Sequence, residues 1–293
     1  KRYEELLSVV TYDRNGIPIR TEVNSKGHYA LTGSALPHAL LGDLLKKEDA
    51  YFYYHVGMNP VSMVRAVYKK VTTGRGGGSS TITEQLAKNL LGTENNRTVR
   101  NKLRELFYVF GMELFMKKET ILTMYGNTVY LGNQVQGFET GSQAYFGKRM
   151  SELTPFETSS LLATLSYPAS RNPWREENEV YARTLYATLH GTDYVHPRVQ
   201  DMFSMNNPLS FELASLGMSC EKTCTTTFDT KLVSFARGVI ARIVGKEYER
   251  GVRNGAVVVI DPKRNELLAI VGTPDPTKES DGGKINMALA PRP

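Results

Sequence analysis

Cysteine is nearly absent from this 293-residue chain: Cys220 and Cys224 are the two that occur, spaced C-x3-C. With no second pair to complete it, a zinc site of the finger type is excluded. A disulfide and two free thiols both stay open on the sequence. No run of 18 apolar residues occurs, so no segment is long enough to span a bilayer as a helix. No signal peptide is visible at Lys1. The charged Lys1-Arg2-Tyr3-Glu4-Glu5 reads as a trimmed start, with a membrane anchor expected upstream of it. Internal repeats and long low-complexity stretches are missing too, which removes solenoids and linker-like chains. What remains is a chain 41% hydrophobic and 23% charged, a globular composition with length for two domains.

The net charge of +6 is concentrated. Residues 61–120 hold eleven Lys and Arg against five Asp and Glu, so this window carries the whole excess. A local cationic field of that kind favours an anionic partner such as phosphate or an acidic lipid headgroup. A solvated basic face fits the same count.

Residues 8–32 read as short strands. Val9 to Tyr12, then Asp13-Arg14-Asn15-Gly16, then Ile17 to Arg20, is a hairpin signal centred on Asn-Gly. From about Pro37 to Ala163 the apolar residues recur at three and four, a mostly helical pattern closed by Pro168 and Pro173. Residues 176–226 are mixed and polar, a linking segment with a helix or two. From Thr225 the character changes: Phe228 to Val244 reads as an amphipathic helix. Gly255 to Gly272 reads as two strands joined by a turn at Asp261 to Asn265. An α/β segment therefore starts near residue 225, and the residues that follow are too few to complete a domain.

Three stretches carry chemistry. The first is E-D-A-Y-F-Y-Y-H-V-G, Glu48 to Gly57. Helical spacing there places Glu48, Phe52 and His55 on one face, with Gly57 as a stop. A carboxylate beside an aromatic is partly desolvated and more basic, while His55 reads as a hydrogen-bonding residue. The second stretch runs from Arg75 through Gly76-Gly77-Gly78 to Asn89. Glycines ahead of a helix start leave backbone N–H groups free for an anion. Thr81-x-x-Glu84 fits a capping box. Thr81, Gln85 and Lys88 share a polar face, and Ile82, Leu86 and Leu90 an apolar one. The pattern is not a nucleotide P-loop, which needs Gly-Lys-Ser/Thr after four intervening residues. The third is Lys102-Leu103-Arg104-Glu105, an i, i+3 pair that equally suits a surface ion pair. The stretch after Glu105 is apolar on most sides and ends in Lys117-Lys118. It reads as a helix buried in the core, with a helix grazing a membrane surface as the alternative.

Taken in order, these stretches resemble the family 51 peptidoglycan glycosyltransferases, the domain at the front of class A penicillin-binding proteins. Glu48 to Gly57 matches E-D-x-x-F-x-x-H-x-G. Ser80 to Asn89 matches S-T-I-T-x-Q-L-A-K-N, and Lys102 to Glu105 matches K-x-x-E. Residues 121–148 match the fourth motif, and Leu161 to Pro173 resembles the fifth. Three positions depart from the family pattern. Asn101 stands where arginine usually precedes the lysine, with Arg97 and Arg100 nearby. Ser79 is an extra small residue, and Gly126 replaces a larger apolar one. The tail from Thr225 resembles the opening of a penicillin-binding transpeptidase domain. The string Ser219 to Lys222 is S-x-x-K but precedes that segment, and no K-T-G follows. The chain is therefore expected neither to acylate with penicillin nor to cross-link peptides.

The resemblance implies a mainly α, lysozyme-like glycosyltransferase domain with a short N-terminal β hairpin, followed by an incomplete α/β segment. The implied divisions are 1–34 for the hairpin and its linker, 35–178 for the glycosyltransferase, 179–224 for a linker and 225–293 for the transpeptidase start. It implies lipid II and the growing glycan strand as substrates, with undecaprenyl pyrophosphate leaving. Glu48 is the implied base and Glu105 its catalytic partner on the donor side, holding either a divalent cation, Mg2+, or the lysine geometry. The implied substrate and pyrophosphate contacts are Asp49, Phe52, His55, Gly78, Ser80, Thr81, Gln85, Lys88, Asn89, Arg100, Lys102, Asn127 and Tyr130. It further implies work at the outer face of the bacterial cytoplasmic membrane, beside other cell-wall synthesis proteins and without nucleic acid. A lysozyme-type hydrolase, which also uses two carboxylates, and a non-catalytic cell-wall scaffold are the competing readings.

Overall fold

The computed structural model describes residues 1–60, 80–93, 98–191, 223–276 and 285–290, with positions 64, 68, 71, 72, 96, 216 and 220 between them. In chain order the regular elements are strands β1 (Val10–Tyr12) and β2 (Pro18–Thr21), then helices α1 (His38–Glu48), α2 (Ile82–Leu91), α3 (Val99–Phe115), α4 (Lys118–Thr128), α5 (Phe138–Phe146), α6 (Pro155–Thr164) and α7 (Glu176–His190). After them come β3 (Cys224–Thr225), α8 (Thr230–Glu247), β4 (Val257–Asp261) and β5 (Glu266–Val271). The chain divides into two compact units, residues 1–8 with 23–203, and residues 9–22 with 204–293.

The first unit is mainly α. Its helices start and stop where local chemistry dictates. Thr81 accepts a hydrogen bond from Glu84 N–H at the head of α2, and Gly92, left-handed at φ 66°, returns its N–H to Lys88 at the tail. Thr98 caps α3 in the same way. Thr154 and Glu157 form a reciprocal capping box on α6, with Pro155 in the first turn. α2 packs against α3 and α4, and α6 packs against α1, α5 and α7. Ile82 and Leu86 are fully buried, as their spacing requires. Each contributes about 1.5–3 kcal/mol of hydrophobic stabilisation. Glu176–His190, inside the stretch read as a link with a helix or two, is one helix packed on α6.

Two expectations for this unit are corrected. Glu48, Phe52 and His55 do not share a helical face. α1 ends at Glu48, Asp49 turns out at φ −158°, and Phe52–Tyr54 form a separate single 3-10 turn. Nor is α3 buried on most sides. Glu105, Val109 and Met112 form its single buried strip. Leu103, Phe107, Phe110 and Leu114 make an exposed row, with Phe107 at 78% and Leu114 at 75% exposure. A helix apolar on every face gives no periodicity from which to tell the buried strip from the exposed one. Gly126, the small residue in α4, has a simple packing reason: a Cβ there would lie 2.7 Å from Leu36 Cδ2.

The second unit carries the sheets. β1 and β2 pair antiparallel around the expected Asn-Gly turn, and β3 adds parallel to β1 with Thr11 opposite Cys224. Residues 9–22, read as part of a 1–34 N-terminal segment, thus pair with strand residues more than 200 positions away. Cys220 and Cys224 form a disulfide at the start of β3, resolving the choice between bridge and free thiols. β4 and β5 pair antiparallel, and α8 packs on β5 over a core of Ile19, Phe228, Val233, Ile240, Ile270 and neighbours.

Asp13 pins this unit together. Its buried carboxylate accepts from the N–H groups of Asn15, Ile17 and Thr230 and from the Thr230 hydroxyl. Burial pushes its pKa up, but those hydrogen bonds outweigh burial and hold it below the ordinary 3.8. A carboxyl depressed on folding stabilises fully above its unfolded value. That contribution is lost as pH falls through the folded value. Asp13→Asn is therefore expected to lower the stability of this unit by roughly 1–3 kcal/mol at neutral pH, read by urea unfolding. The gap to wild type narrows in acid below the ordinary aspartate range; a gap that stays constant there would contradict the assignment.

Candidate active site

The site grows from a lock between the first two motifs. Asp49, just past α1, is buried and uses both carboxylate oxygens. Oδ2 accepts from Ile82 N–H at 3.1 Å, and Oδ1 accepts from His55 Nε2 at 2.9 Å. Gly57 N–H donates to His55 Nδ1 at 3.1 Å, which assigns the imidazole proton to Nε2. Thr81 closes the ring by donating to the Gly57 carbonyl at 2.6 Å. A carboxylate at the first turn of α2 also suits the positive end of that helix. The E-D-x-x-F-x-x-H-x-G spacing is thus a folding device that clamps the N-terminus of α2 to the end of α1. Phe52 lies in the core beneath, with Lys118 Nζ 4.3 Å from its ring centre.

Glu48 sits one residue before the lock and points at α2. Gln85 Nε2 donates to Glu48 Oε2 at 3.0 Å. Tyr125 OH, from α4, donates to Gln85 Oε1 at 2.9 Å. Lys47 Nζ holds the other oxygen, Oε1, and also reaches Ser166 Oγ at 3.4 Å. Burial first, and then the charge of Glu48, push the Tyr125 phenol well above its usual value, so it stays a neutral donor. Three helices therefore meet at one half-buried carboxylate.

On the same helix Lys88 Nζ contacts Ser80 Oγ at 3.0 Å. The ammonium thus reaches back along α2 to the end of the glycine-rich stretch; Gly78 itself lies outside the described residues. Asn89 is tied by its side chain to the Thr128 carbonyl and by its own carbonyl to Lys26 Nζ. Glu105 is buried and accepts from Thr93 Oγ1 at 2.6 Å. Lys102, about half exposed, lies 3.7 Å from Glu105 Oε2 and 3.6 Å from Glu84 Oε1. Glu84 therefore turns its carboxylate to Lys102, and the anticipated capping box keeps its Thr81 half alone.

The remaining residues fall into two groups. Asn127 is buried and binds Gly33 N–H and Tyr3 OH, a brace for the loop before α1. Arg100 is exposed, and Asn101, in the usual arginine position, donates to the Asn96 carbonyl at the head of α3. Tyr130 is partly exposed and stacks on His28 with ring centres 4.7 Å apart. Glu48 with Gln85, and Ser80 with Lys88, thereby form two contacting pairs on α2, and Lys102 and Glu105 join α2 through Glu84. Asp49, His55, Thr81 and Asn127 are engaged in internal bonds.

Sequence reasoning missed Lys47, Glu84 and Tyr125. Lys47 was visible as the neighbour of Glu48. Tyr125 lay inside the fourth-motif match, residues 121–148, but was not singled out within it. Among the described residues no group of three or more His, Cys, Asp or Glu gathers as a metal site.

Comparison with known proteins covers this same region. The family described as transglycosylase matches residues 16–189. Penicillin-binding protein 1B of Haemophilus influenzae is 31% identical over 191 residues, covering 62% of this chain and 24% of that protein. Penicillin-binding protein 1A of Aquifex aeolicus is 38% identical over 140 residues, 47% of this chain and 19% of that one. Penicillin-binding protein 1B of Escherichia coli is 29% identical over 276 residues, 83% of this chain and 33% of that one. The chain thus spans a third or less of the length of these relatives. The crystal structure of penicillin-binding protein 1A from Haemophilus influenzae aligns with 88% of this chain and 33% of its own, at 14% identity and a TM-score of 0.32.

Proposed function

We propose that this chain, which belongs to the transglycosylase family, is a peptidoglycan glycosyltransferase that polymerises lipid II into glycan strands. The observation that carries the reading is the convergence on α2. One helix holds Glu48 through Gln85 and, a turn further on, presents Lys88 beside Ser80. A base and a cation on one helix suit a reaction that deprotonates a hydroxyl and expels a pyrophosphate.

In this reading Glu48 takes the proton of the acceptor GlcNAc 4-hydroxyl. That oxygen attacks the anomeric carbon of the donor MurNAc with inversion, and the bond to undecaprenyl pyrophosphate breaks. Negative charge grows on the departing oxygen. Lys88 and Lys102 meet it, with the Ser80 hydroxyl and the Arg100 guanidinium alongside. Glu105, anchored by Thr93, positions Lys102 on the donor side. Glu105 and Glu84 both face the Lys102 ammonium, at 3.7 and 3.6 Å, so a Mg2+ arriving with the pyrophosphate would have to share Glu105 with that lysine and take its other ligands from phosphate and water. When bound it would help neutralise the leaving group.

The substrate is a lipid, and the exposed apolar row on α3 with the basic window supports work against a membrane surface. Among the described residues no helix is long and apolar enough to cross one. The proposed place is the outer face of the bacterial cytoplasmic membrane. Residues 225–293 contain neither S-x-x-K nor K-T-G, so no acylation by penicillin is proposed for this chain.

Incubation of the purified chain with labelled lipid II tests the reading. Long glycan is the expected product, separated by gel. Lipid II left intact while preformed glycan is cleaved would replace it with the hydrolase reading.

A further inference from the structure

The contacts around Glu48 have a direction. An ionised carboxylate only accepts, so the Gln85 group facing Oε2 is the NH2. The amide oxygen then faces Tyr125, which is left as the donor. The chain of bonds runs one way, from Tyr125 OH through the Gln85 amide to Glu48 Oε2. Tyr125 is fully buried on α4 and Gln85 sits on α2, two helices packed together, so both ends of the amide are fixed by the fold. Oε1 has a different neighbour, the long side chain of Lys47.

We propose that Tyr125 is a positioning residue that acts through Gln85 to reserve Oε2 of Glu48 as a hydrogen-bond acceptor, leaving Oε1 as the atom that takes the proton. The proposal rests on the glycosyltransferase reading above. In the reaction the acceptor O–H bond breaks, its proton passes to Oε1, and its electron pair forms the new glycosidic bond. Oε2 keeps its bond from Gln85 throughout, so the amide need not reorganise as Glu48 becomes neutral. Lys47, at the edge of the site and within reach of Ser166, is the group that yields Oε1 to the incoming hydroxyl. Without the phenol hydroxyl the Gln85 amide oxygen loses its anchor on α4, and the amide, held by Glu48 alone, no longer fixes where Oε2 sits.

Tyr125→Phe removes one oxygen atom and keeps the ring. On lipid II it is expected to lower kcat about tenfold with KM unchanged within about twofold. Gln85→Met, on a partly exposed side chain, breaks the same path from its middle. If Tyr125 acts through Gln85, the double variant loses no more than Gln85→Met alone, within about twofold. Losses that multiply, or an unchanged kcat in either single variant, would overturn the proposal. A second measurement does not need activity. In protein labelled with 13C at glutamate side-chain carboxyls, the Glu48 resonance is identified by its absence from Glu48→Gln. It is expected to move in both Tyr125→Phe and Gln85→Met. A resonance that stays in place overturns the relay even if wild type proves inactive on lipid II, an outcome that would strike the glycosyltransferase reading instead.

Discussion

Glu48→Gln is expected to lower lipid II polymerisation by about 10² to 10⁴-fold, the usual contribution of a positioned general base, while leaving the fold intact. The two halves of that expectation have separate sources. The loss of activity follows from the proposed chemistry, because an amide cannot accept the acceptor proton. Preservation of the fold follows from geometry. The Gln oxygen still accepts from Gln85 Nε2, and Glu48 is not part of the Asp49–His55–Ile82 lock that joins the motifs. The one contact that deteriorates is with Lys47, which would face an NH2 group and can swing to Ser166. A stability change within about 1 kcal/mol is expected. Polymer yield from labelled lipid II and the thermal midpoint, measured on one preparation, check both. Undiminished polymerisation would remove Glu48 as the base, and a collapsed midpoint would mean that its role is structural.

Glu105 is the instructive contrast. It is more deeply buried than Glu48, and it binds Thr93 and faces Lys102. A neutral amide there would disturb a packed, hydrogen-bonded pair, so loss of activity at Glu105 would mix folding with chemistry. Two carboxylates that look alike in sequence therefore differ in how cleanly their roles can be tested. The difference is burial, which motif spacing does not carry.

What the sequence made legible was local. The Asn15-Gly16 hairpin, the Thr81 cap, the Ile82 and Leu86 face and the two strands after residue 255 all follow from neighbours within a few positions. The failures were non-local. Helical spacing from Glu48 to His55 was broken because Asp49 is drawn away to cap a helix that starts 33 residues later. The exposed row on α3 was hidden because both of its faces are apolar. β3 was missed because two residues have no pattern of their own and pair with a strand near the other end of the chain. For the candidate site, motif matching named Glu48, Gln85, Lys88 and Lys102. Tyr125 was not found, since a buried tyrosine announces its hydroxyl partner only through packing.

Gly57→Ala tests the lock itself, and its effect on stability should be large. Gly57 sits at φ 85°, in the left-handed region, where alanine costs about 1 kcal/mol. Space is the greater obstacle. A Cβ would lie 2.3 Å from Val109 Cγ1 and 2.9 Å from Glu113 Cγ. Neither can move away easily. Val109 is fully buried in the core, and Glu113 is held by Lys118 at 2.7 Å and by Thr83 Oγ1 at 2.6 Å. Overpacking of that kind typically costs a further 1–3 kcal/mol, for a total of about 2–4 kcal/mol. The backbone of Gly57 also serves the site, donating to His55 and accepting from Thr81. Any shift that relieves the overlap therefore loosens the head of α2, and activity should fall along with stability. Gly92→Ala supplies the control. Gly92 is equally left-handed at φ 66°, but nothing lies within 4 Å of its missing Cβ. It should show the backbone cost alone, about 1 kcal/mol. Urea unfolding of both variants separates strain from overlap. If Gly57→Ala loses no more than Gly92→Ala, α3 does not press on the first motif, and the H-x-G glycine must be explained by conformation alone.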